Sequence, residues 1–263
     1  MQLFPHQDEL FYFLQYGFRA GLIMTYCVAI SVNAGMVFCS DSRTNAGVDQ
    51  TSTYSKMFRI ELGPDRQFVI MTAGNLATTQ ASMAQLKKDI RQKSIVNLDT
   101  VMTIGDAADY LGDVSVTQQV KHGGSMSAFG ATFLLGGQIA GSEHRIVMIY
   151  PEGNHITSSK DTPFLQIGES KYGKPILDRI LSLDTQLDTA ALSALVSMDS
   201  TMQSNLSVGP PIELVVYKAN SFSLQSYYRF EEDSEFLREL KRSWDNRLKE
   251  AFHKLPRLTL PYS

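Results

Sequence analysis

The sequence predicts an α+β protein: a four-layer αββα sandwich of two stacked antiparallel sheets flanked by helices, with an extra C-terminal helix. Three observations carry this. Segments with period-two alternation and segments with helical spacing come in separate blocks, ordered strands, two helices, strands, two helices, strands, which excludes the strict alternation of a doubly wound parallel sheet. Of the 263 residues 43% are apolar, enough for a sizeable core. No internal repeat, low-complexity tract or Pro/Ser-rich linker divides the chain, so one domain is the economical reading.

The elements follow in order. "TYCVAISV" and "GMVFCSDSR" are alternating apolar runs separated by Asn33, Ala34 and Gly35, which reads as a β-hairpin. "SKMFRIEL" and "RQFVIMTA", joined by Gly63, Pro64 and Asp65, form a second. The period then changes: Leu76, Met83, Leu86 and Ile90 lie near helical spacing, and Val101, Ile104, Ala108, Leu111 and Val120 do the same in the next stretch. A Gly-Gly loop at 123–124 leads to strands in "FGATFLLGG", "HRIVMIYPEGNHITS" and "PFLQIG". Helices in "KYGKPILDRIL" and "DTAALSALVSMDSTMQSN" precede a last strand pair, "PIELVVYK" and "SFSLQSYYRF". Beyond residue 230, Leu237, Leu240, Trp244, Leu248 and Phe252 recur every three or four residues on an otherwise charged helix, acidic at its start and basic at its end as the helix dipole prefers. Such a helix either packs on its own domain or contacts a neighbouring subunit. The domain plan is therefore residues 1–24 as a leader, propeptide or upstream extension, 25–230 as the catalytic-type domain, and 231–263 as helix and tail.

Composition removes several function classes. A net charge of -3 without a basic block gives nucleic acid or an anionic membrane no electrostatic footprint. No segment has the run of apolar residues a membrane span needs, and the aromatic-rich start, carrying Asp8, Glu9 and Arg19, does not read as a secretory signal. The two cysteines, Cys27 and Cys39, read as small buried hydrophobes in a reducing cytoplasm. No cofactor or metal is expected: the five histidines are scattered, and no nucleophile elbow, zinc-protease or Walker motif occurs.

The chemistry that remains lies at Thr25. If this residue became an amino terminus it would supply a nucleophilic hydroxyl and, on the same residue, an amine able to take its proton, usually through water. An α-amine titrates ordinarily at about 7.7–8.0, so a modest downward push by a buried cation makes it a neutral base near physiological pH. Lys56 can be that cation, with Asp41 as the carboxylate that pairs with it and holds it charged. Spacing alone leaves a second reading open, an ordinary strand threonine beside a surface ion pair.

The stretches "MTYCVAI", "SDSRTNAG" and "TAGNLATTQ" resemble the front of a proteasome-type β-subunit, an N-terminal-nucleophile (Ntn) hydrolase, and are most similar to the bacterial Anbu, or ancestral β-subunit, branch. The resemblance in block order extends over nearly all of residues 25–230. The offset of Asp41 from Thr25 matches the family's, and that of Lys56 falls within a residue of it. The resemblance implies Thr25 as nucleophile, Asp41 and Lys56 as the pair that tunes it, Arg43 as the arginine that follows the acid, and Gly74 as the glycine whose N–H donates to the oxyanion. It further implies Ser170 in "IGESKYG" as a group orienting the amine, Ser207 and Gly209 near the site, and Thr44, Asn45, Thr72 and Leu76 lining a neutral substrate entrance. The chain departs from the family pattern at one point: an aspartate three residues before the serine is replaced by Ser204, with Asn205 next to it.

The expected function is peptide-bond cleavage by a threonine endopeptidase in a homo-oligomer, either a ring or an open helix, acting on peptide or protein substrates. No motor motif is present, so an unfolding ATPase would be a separate chain. Two alternatives stand beside it: an amidase or acyltransferase on small or non-peptide amides, and a weakly active or inactive assembly protein with the same fold.

Overall fold

A computed structural model describes residues 25–45, 51–121 and 129–258. The leader (1–24), His6, the 123–124 loop and His122 lie outside them. Among the described residues are twelve strands and five helices. β1 (Tyr26–Val32) and β2 (Gly35–Asp41) form the first expected hairpin, closing at Val32 opposite Gly35. Every residue of β2 is buried, and β1 divides its side chains by parity: Tyr26, Val28, Ile30 and Val32 enter one apolar cluster, Cys27 and Ala29 another. A strand apolar on both faces has to be covered on both faces, which accounts for the layers.

The first sheet has the order β10-β1-β2-β11-β12, with β10 at Phe164–Gly168, β11 at Ile212–Lys218 and β12 at Tyr227–Phe230. The second runs β5-β6-β7-β8-β9, from β5 (Met57–Glu61) and β6 (Arg66–Gly74) through β7 (Ala131–Ile139) and β8 (Arg145–Ile149) to β9 (His155–Thr157). All pairings are antiparallel. Phe38, Met71, Leu134 and Val215 fill the space between the sheets. α1 (Leu76–Gln92) and α2 (Ile104–Lys121) cover the second sheet through Leu86, Leu111 and their neighbours; α3 (Ser170–Ile180) and α4 (Leu187–Ser204) cover the first through Leu177, Ala194 and Met198. The αββα expectation holds.

Caps set the helix starts. Asn75 accepts the Thr78 amide at 3.1 Å, and Thr103 and Asp106 exchange side-chain to backbone bonds of 3.0 and 2.9 Å, so α2 begins after the residues at 100–103 that the periodicity included. Val120, expected on the apolar face of α2, is exposed.

Three differences from the sequence expectation have local causes. A small hairpin, β3 (Arg43–Asn45) with β4 (Thr51–Thr53), is polar and carries no apolar alternation to betray it. The strand expected over 221–230 begins only at Tyr227, because Leu224 turns inward and is buried between the sheets while Phe222 adopts a left-handed φ of 47°. "HRIVMIYPEGNHITS" divides into β8 and β9 around a turn in which the Gly153 amide donates to the Tyr150 carbonyl at 2.9 Å.

α5 (Glu235–His253) is capped by Ser234 and begins against the domain, with Leu237 and Leu240 half-buried on the α4 side and Phe236 stacked on Phe230 at 5.4 Å. Its second half leaves that support: Leu248 is 54% and Phe252 72% exposed. No described helix is long and apolar enough to cross a membrane.

Candidate active site

Antiparallel pairing gathers the candidate residues at one end of the sandwich. The start of β1 lies beside the ends of β2 and β10, and the start of β11 beside the end of β2, since Tyr26 opposes Gly168 and Ile212 opposes Asp41. In the other sheet the start of β5 lies beside the end of β6, where Met57 opposes Met71. The Cys27 thiol, 3.9 Å from the Thr72 carbonyl oxygen, touches the two sheets together there.

Thr25 is 8% exposed, and its carbonyl oxygen accepts the Glu169 amide at 2.8 Å. The next amide, that of Tyr26, donates to Asp41 Oδ1 at 3.1 Å, and the same oxygen accepts Lys56 Nζ at 2.6 Å. The ammonium therefore stands two hydrogen bonds from a nitrogen covalently joined to the Thr25 carbonyl carbon. Asp41 is fully buried and Lys56 6% exposed; Oδ2 accepts the Gly209 amide at 3.3 Å, and Nζ also donates to the Arg43 carbonyl at 2.7 Å. Burial pushes the Asp41 carboxyl above its ordinary range, while the Lys56 charge and the Tyr26 and Gly209 amides pull against it. Three of the residues the resemblance singles out are thus joined in one buried network.

Arg43 follows the acid in sequence and reaches away from it. It makes no ion pair with Asp41 among the described residues; Nη1 donates to the Leu206 carbonyl at 2.7 Å, and its backbone amide donates to the Gly209 carbonyl at 3.2 Å. It fastens the 205–209 loop to the end of β2. Within that loop Asn205 Oδ1 accepts both the Ser207 amide at 3.0 Å and the Ser207 hydroxyl at 2.6 Å. Where the family pattern has a carboxylate three residues before the serine, this chain has an uncharged amide two before it, and that amide bonds the serine. The sequence marks Asn205 only as the neighbour of Ser204; the Asn-x-Ser spacing of a side-chain-to-backbone turn was the available signal for its contact with Ser207.

Ser170 is the first residue of α3, held by its carbonyl, which accepts Gln166 Nε2 at 3.2 Å. Gln166 also donates to the Tyr26 hydroxyl at 2.5 Å, which lies 2.6 Å from Ser197 Oγ, so the residue after Thr25 and the start of α3 share one buried network. Burial pushes the Tyr26 phenol well above its ordinary range, leaving it neutral. The Glu169 carboxylate faces Lys171 at 3.6 Å. Gly74 ends β6 at a φ of 100°, where a Cβ would sit 2.5 Å from the Gly130 carbonyl oxygen. Thr72 is buried near that end of β6, Leu76 opens α1 and is partly exposed, and Thr44 is half-buried in β3; the Asn45 side chain lies outside the described residues. No group of three or more His, Cys, Asp or Glu that could hold a metal occurs among the described residues.

Comparison with curated proteins gives no match. Residues 25–217 match the proteasome-subunit family. Among solved structures, Anbu (ancestral beta-subunit) from Yersinia bercovieri is 45% identical, covering 90% of this chain and 100% of its own at a TM-score of 0.85. Anbu from Pseudomonas aeruginosa, in a structure described as the helical assembly of the Anbu complex, is 42% identical over 91% of this chain and 100% of its own, TM-score 0.85. Anbu from Hyphomicrobium sp. strain MC1 is 41% identical over 90% and 100%, TM-score 0.83. A buried Asp41–Lys56 pair bonded to the amide after Thr25, at one end of an αββα sandwich, and these matches agree: the chain belongs to the proteasome-subunit family, in its Anbu branch.

Proposed function

We propose that this protein is a threonine-type peptide hydrolase whose working form begins at Thr25. The observation that carries the reading is the buried Lys56–Asp41 pair hydrogen-bonded to the amide that follows Thr25. Burying two charges costs several kcal/mol per ion, roughly, before their attraction is counted, so such a pair is weakly explained by stability and well explained by a neighbour it tunes. The family match starts at residue 25, which supports the same junction.

While residue 24 is attached, the Thr25 nitrogen is an amide without a basic lone pair; released, it becomes an amine beside an ammonium. The Lys56 charge favours its neutral form, and the amine takes the Oγ proton, through water, as Oγ attacks a peptide carbonyl. The Gly74 amide receives the oxyanion, the departing amine carries the proton away, and water then releases the acyl group from the Thr25 ester. Ser170 and Ser207 orient the α-amine, and Arg43 holds the loop that bears Ser207. Thr44, Thr72 and Leu76 line a neutral substrate entrance, to which the family resemblance adds Asn45. The uncharged Asn205 supports a second reading, in which the same fold keeps a weakened nucleophile and serves chiefly in assembly.

Intact mass is the test. A mature chain starting at Thr25, labelled by an electrophilic warhead that leaves Thr25→Ala unmodified, is the expected result. A stable chain retaining residues 1–24 as its only form sinks the hydrolytic reading.

The working state is a homo-oligomer, as in the helical Pseudomonas assembly, acting on peptides or proteins in the cytoplasm; its two buried free thiols suit a reducing compartment. The exposed second half of α5 is the proposed contact. Leu248→Ser with Phe252→Ser spares Leu237 and Leu240, which pack on the domain, so the double variant should keep its circular dichroism and lose light-scattering mass. An unchanged mass would remove α5 as a contact.

A further inference from the structure

The geometry points to a second binding site, for small zwitterions carrying a free α-ammonium and a free α-carboxylate, at the end of the sandwich opposite Thr25. A cavity of about 540 Å³ opens there, where β1 ends and β8 begins. Its size falls within the range of small-ligand sites, roughly 300–1,000 Å³.

The frame is built and rigid. Gln138, 2% exposed, spends all its hydrogen-bonding capacity: Oε1 accepts the Tyr217 hydroxyl at 2.7 Å and the Asn220 amide at 2.8 Å, while Nε2 donates to the Ser142 carbonyl at 2.9 Å and Asn220 Oδ1 at 2.7 Å. This clamp holds Asn220 at a left-handed φ of 62° and locks the β11–β12 connection of one sheet to β7 of the other. His144 joins the sheets a second time, its Nε2 donating to the Val32 carbonyl at 2.9 Å. A carbonyl oxygen can only accept, so Nε2 carries the hydrogen and Nδ1 faces no protein partner among the described residues. The loop walls are pinned by the Ser31 amide on the Pro163 carbonyl and the Asn33 amide on the Leu183 carbonyl, each at 2.8 Å.

Two opposite charges line this frame without meeting. Neither the Lys160 nor the Glu143 side chain has an ion-pair or hydrogen-bond partner among the described residues, although both border the cavity. Lys160 and Glu143 are exposed at the rim of this cavity, and a cation and an anion bordering one polar cavity complement a ligand carrying both charges: a carboxylate for Lys160 and the Ser158 and Ser159 hydroxyls, an ammonium for Glu143. Free amino acids and short peptides share this chemistry and differ in the distance between their charges, so length distinguishes them. The site is independent of the proposed hydrolysis.

The test uses the full chain carrying Thr25→Ala, so that binding at the candidate active site through Thr25, and turnover, do not enter. Calorimetric titration with glycine, glycylglycine and triglycine is expected to give saturable millimolar binding for at least one, the preferred length reporting the charge spacing. Glu143→Gln, Lys160→Met, N-acetylation of the ligand and amidation of its carboxylate should each weaken binding by about 1.5-fold to fivefold, the size of one exposed charge contact. Blocking the ligand amine should matter little once Glu143 is already glutamine. Absence of saturable binding by all three probes overturns the proposal, as does binding indifferent to both variants.

Discussion

Replacing Lys56 by methionine should destabilise the protein by about 3–5 kcal/mol at neutral pH, because it strands the fully buried Asp41 carboxylate with only the Tyr26 and Gly209 amides for company. The paired variant Asp41→Asn/Lys56→Met should recover most of the loss, since an asparagine carbonyl still accepts an amide hydrogen and nothing charged remains inside. Both variants should resist the warhead. The expected outcome is therefore a chain that is stable and inert beside one that is unstable and inert, which separates the pair's chemical use from its structural cost. Denaturant midpoints with unchanged slopes give the energies; a Lys56→Met variant as stable as the wild type would show that the lysine does not neutralise a buried charge.

The pH dependence has a definite sign. Burial already raises the Asp41 carboxyl, and Lys56 is the largest influence opposing that rise, so in Lys56→Met the carboxyl titrates higher still. A folded-state value above the unfolded one means that the folded protein holds the proton more tightly. The deficit is then absent below the unfolded carboxylate value, about 3.9, and grows as pH rises through the folded value. The gap between the single and the double variant should be wide near pH 8 and narrow toward pH 5, roughly. A gap that widens on acidification contradicts the assignment.

Period and parity made most of the fold legible. In β1 the alternation of Tyr26, Val28 and Ile30 with Cys27 and Ala29 is apolar on both sides, and that pattern alone calls for cover on two faces. What escaped has no such signal. β3 and β4 are short and polar, and Leu224 is one buried leucine in a segment whose backbone leaves the strand to deliver it. For the site, the types and offsets of Asp41 and Lys56 were readable by family resemblance, whereas the sharing of one carboxylate oxygen between Lys56 and the Tyr26 amide required the hairpin register to be known. Arg43 was readable as the arginine that follows the acid, but that it fastens a loop was not, because its neighbour in space, the Leu206 carbonyl, is 163 residues away in sequence. Long-range partners of this kind are set by packing rather than by local pattern.

Gly168→Ala should be the most damaging single-methyl change near Thr25. The residue ends β10 opposite Tyr26 at a φ of 82°, and a Cβ there would lie 1.9 Å from the Thr25 carbonyl oxygen, inside any tolerable contact. Neither atom can yield by turning a side chain: the obstacle is the backbone of Thr25 itself, held by the Glu169 amide at 2.8 Å. The strands must therefore part at this point, shifting Thr25 away from the Asp41–Lys56 pair. Gly141 supplies the control, since its φ of 83° is nearly the same while nothing lies within 4 Å of its added Cβ. Gly141→Ala should cost only the left-handed penalty of about 1–2 kcal/mol, whereas Gly168→Ala should add about 1–3 kcal/mol of overpacking. Warhead labelling should persist in the first and fail in the second even at temperatures where both remain folded. Equal stability losses with labelling intact in both would mean that the close approach of β10 to Thr25 does not position the nucleophile.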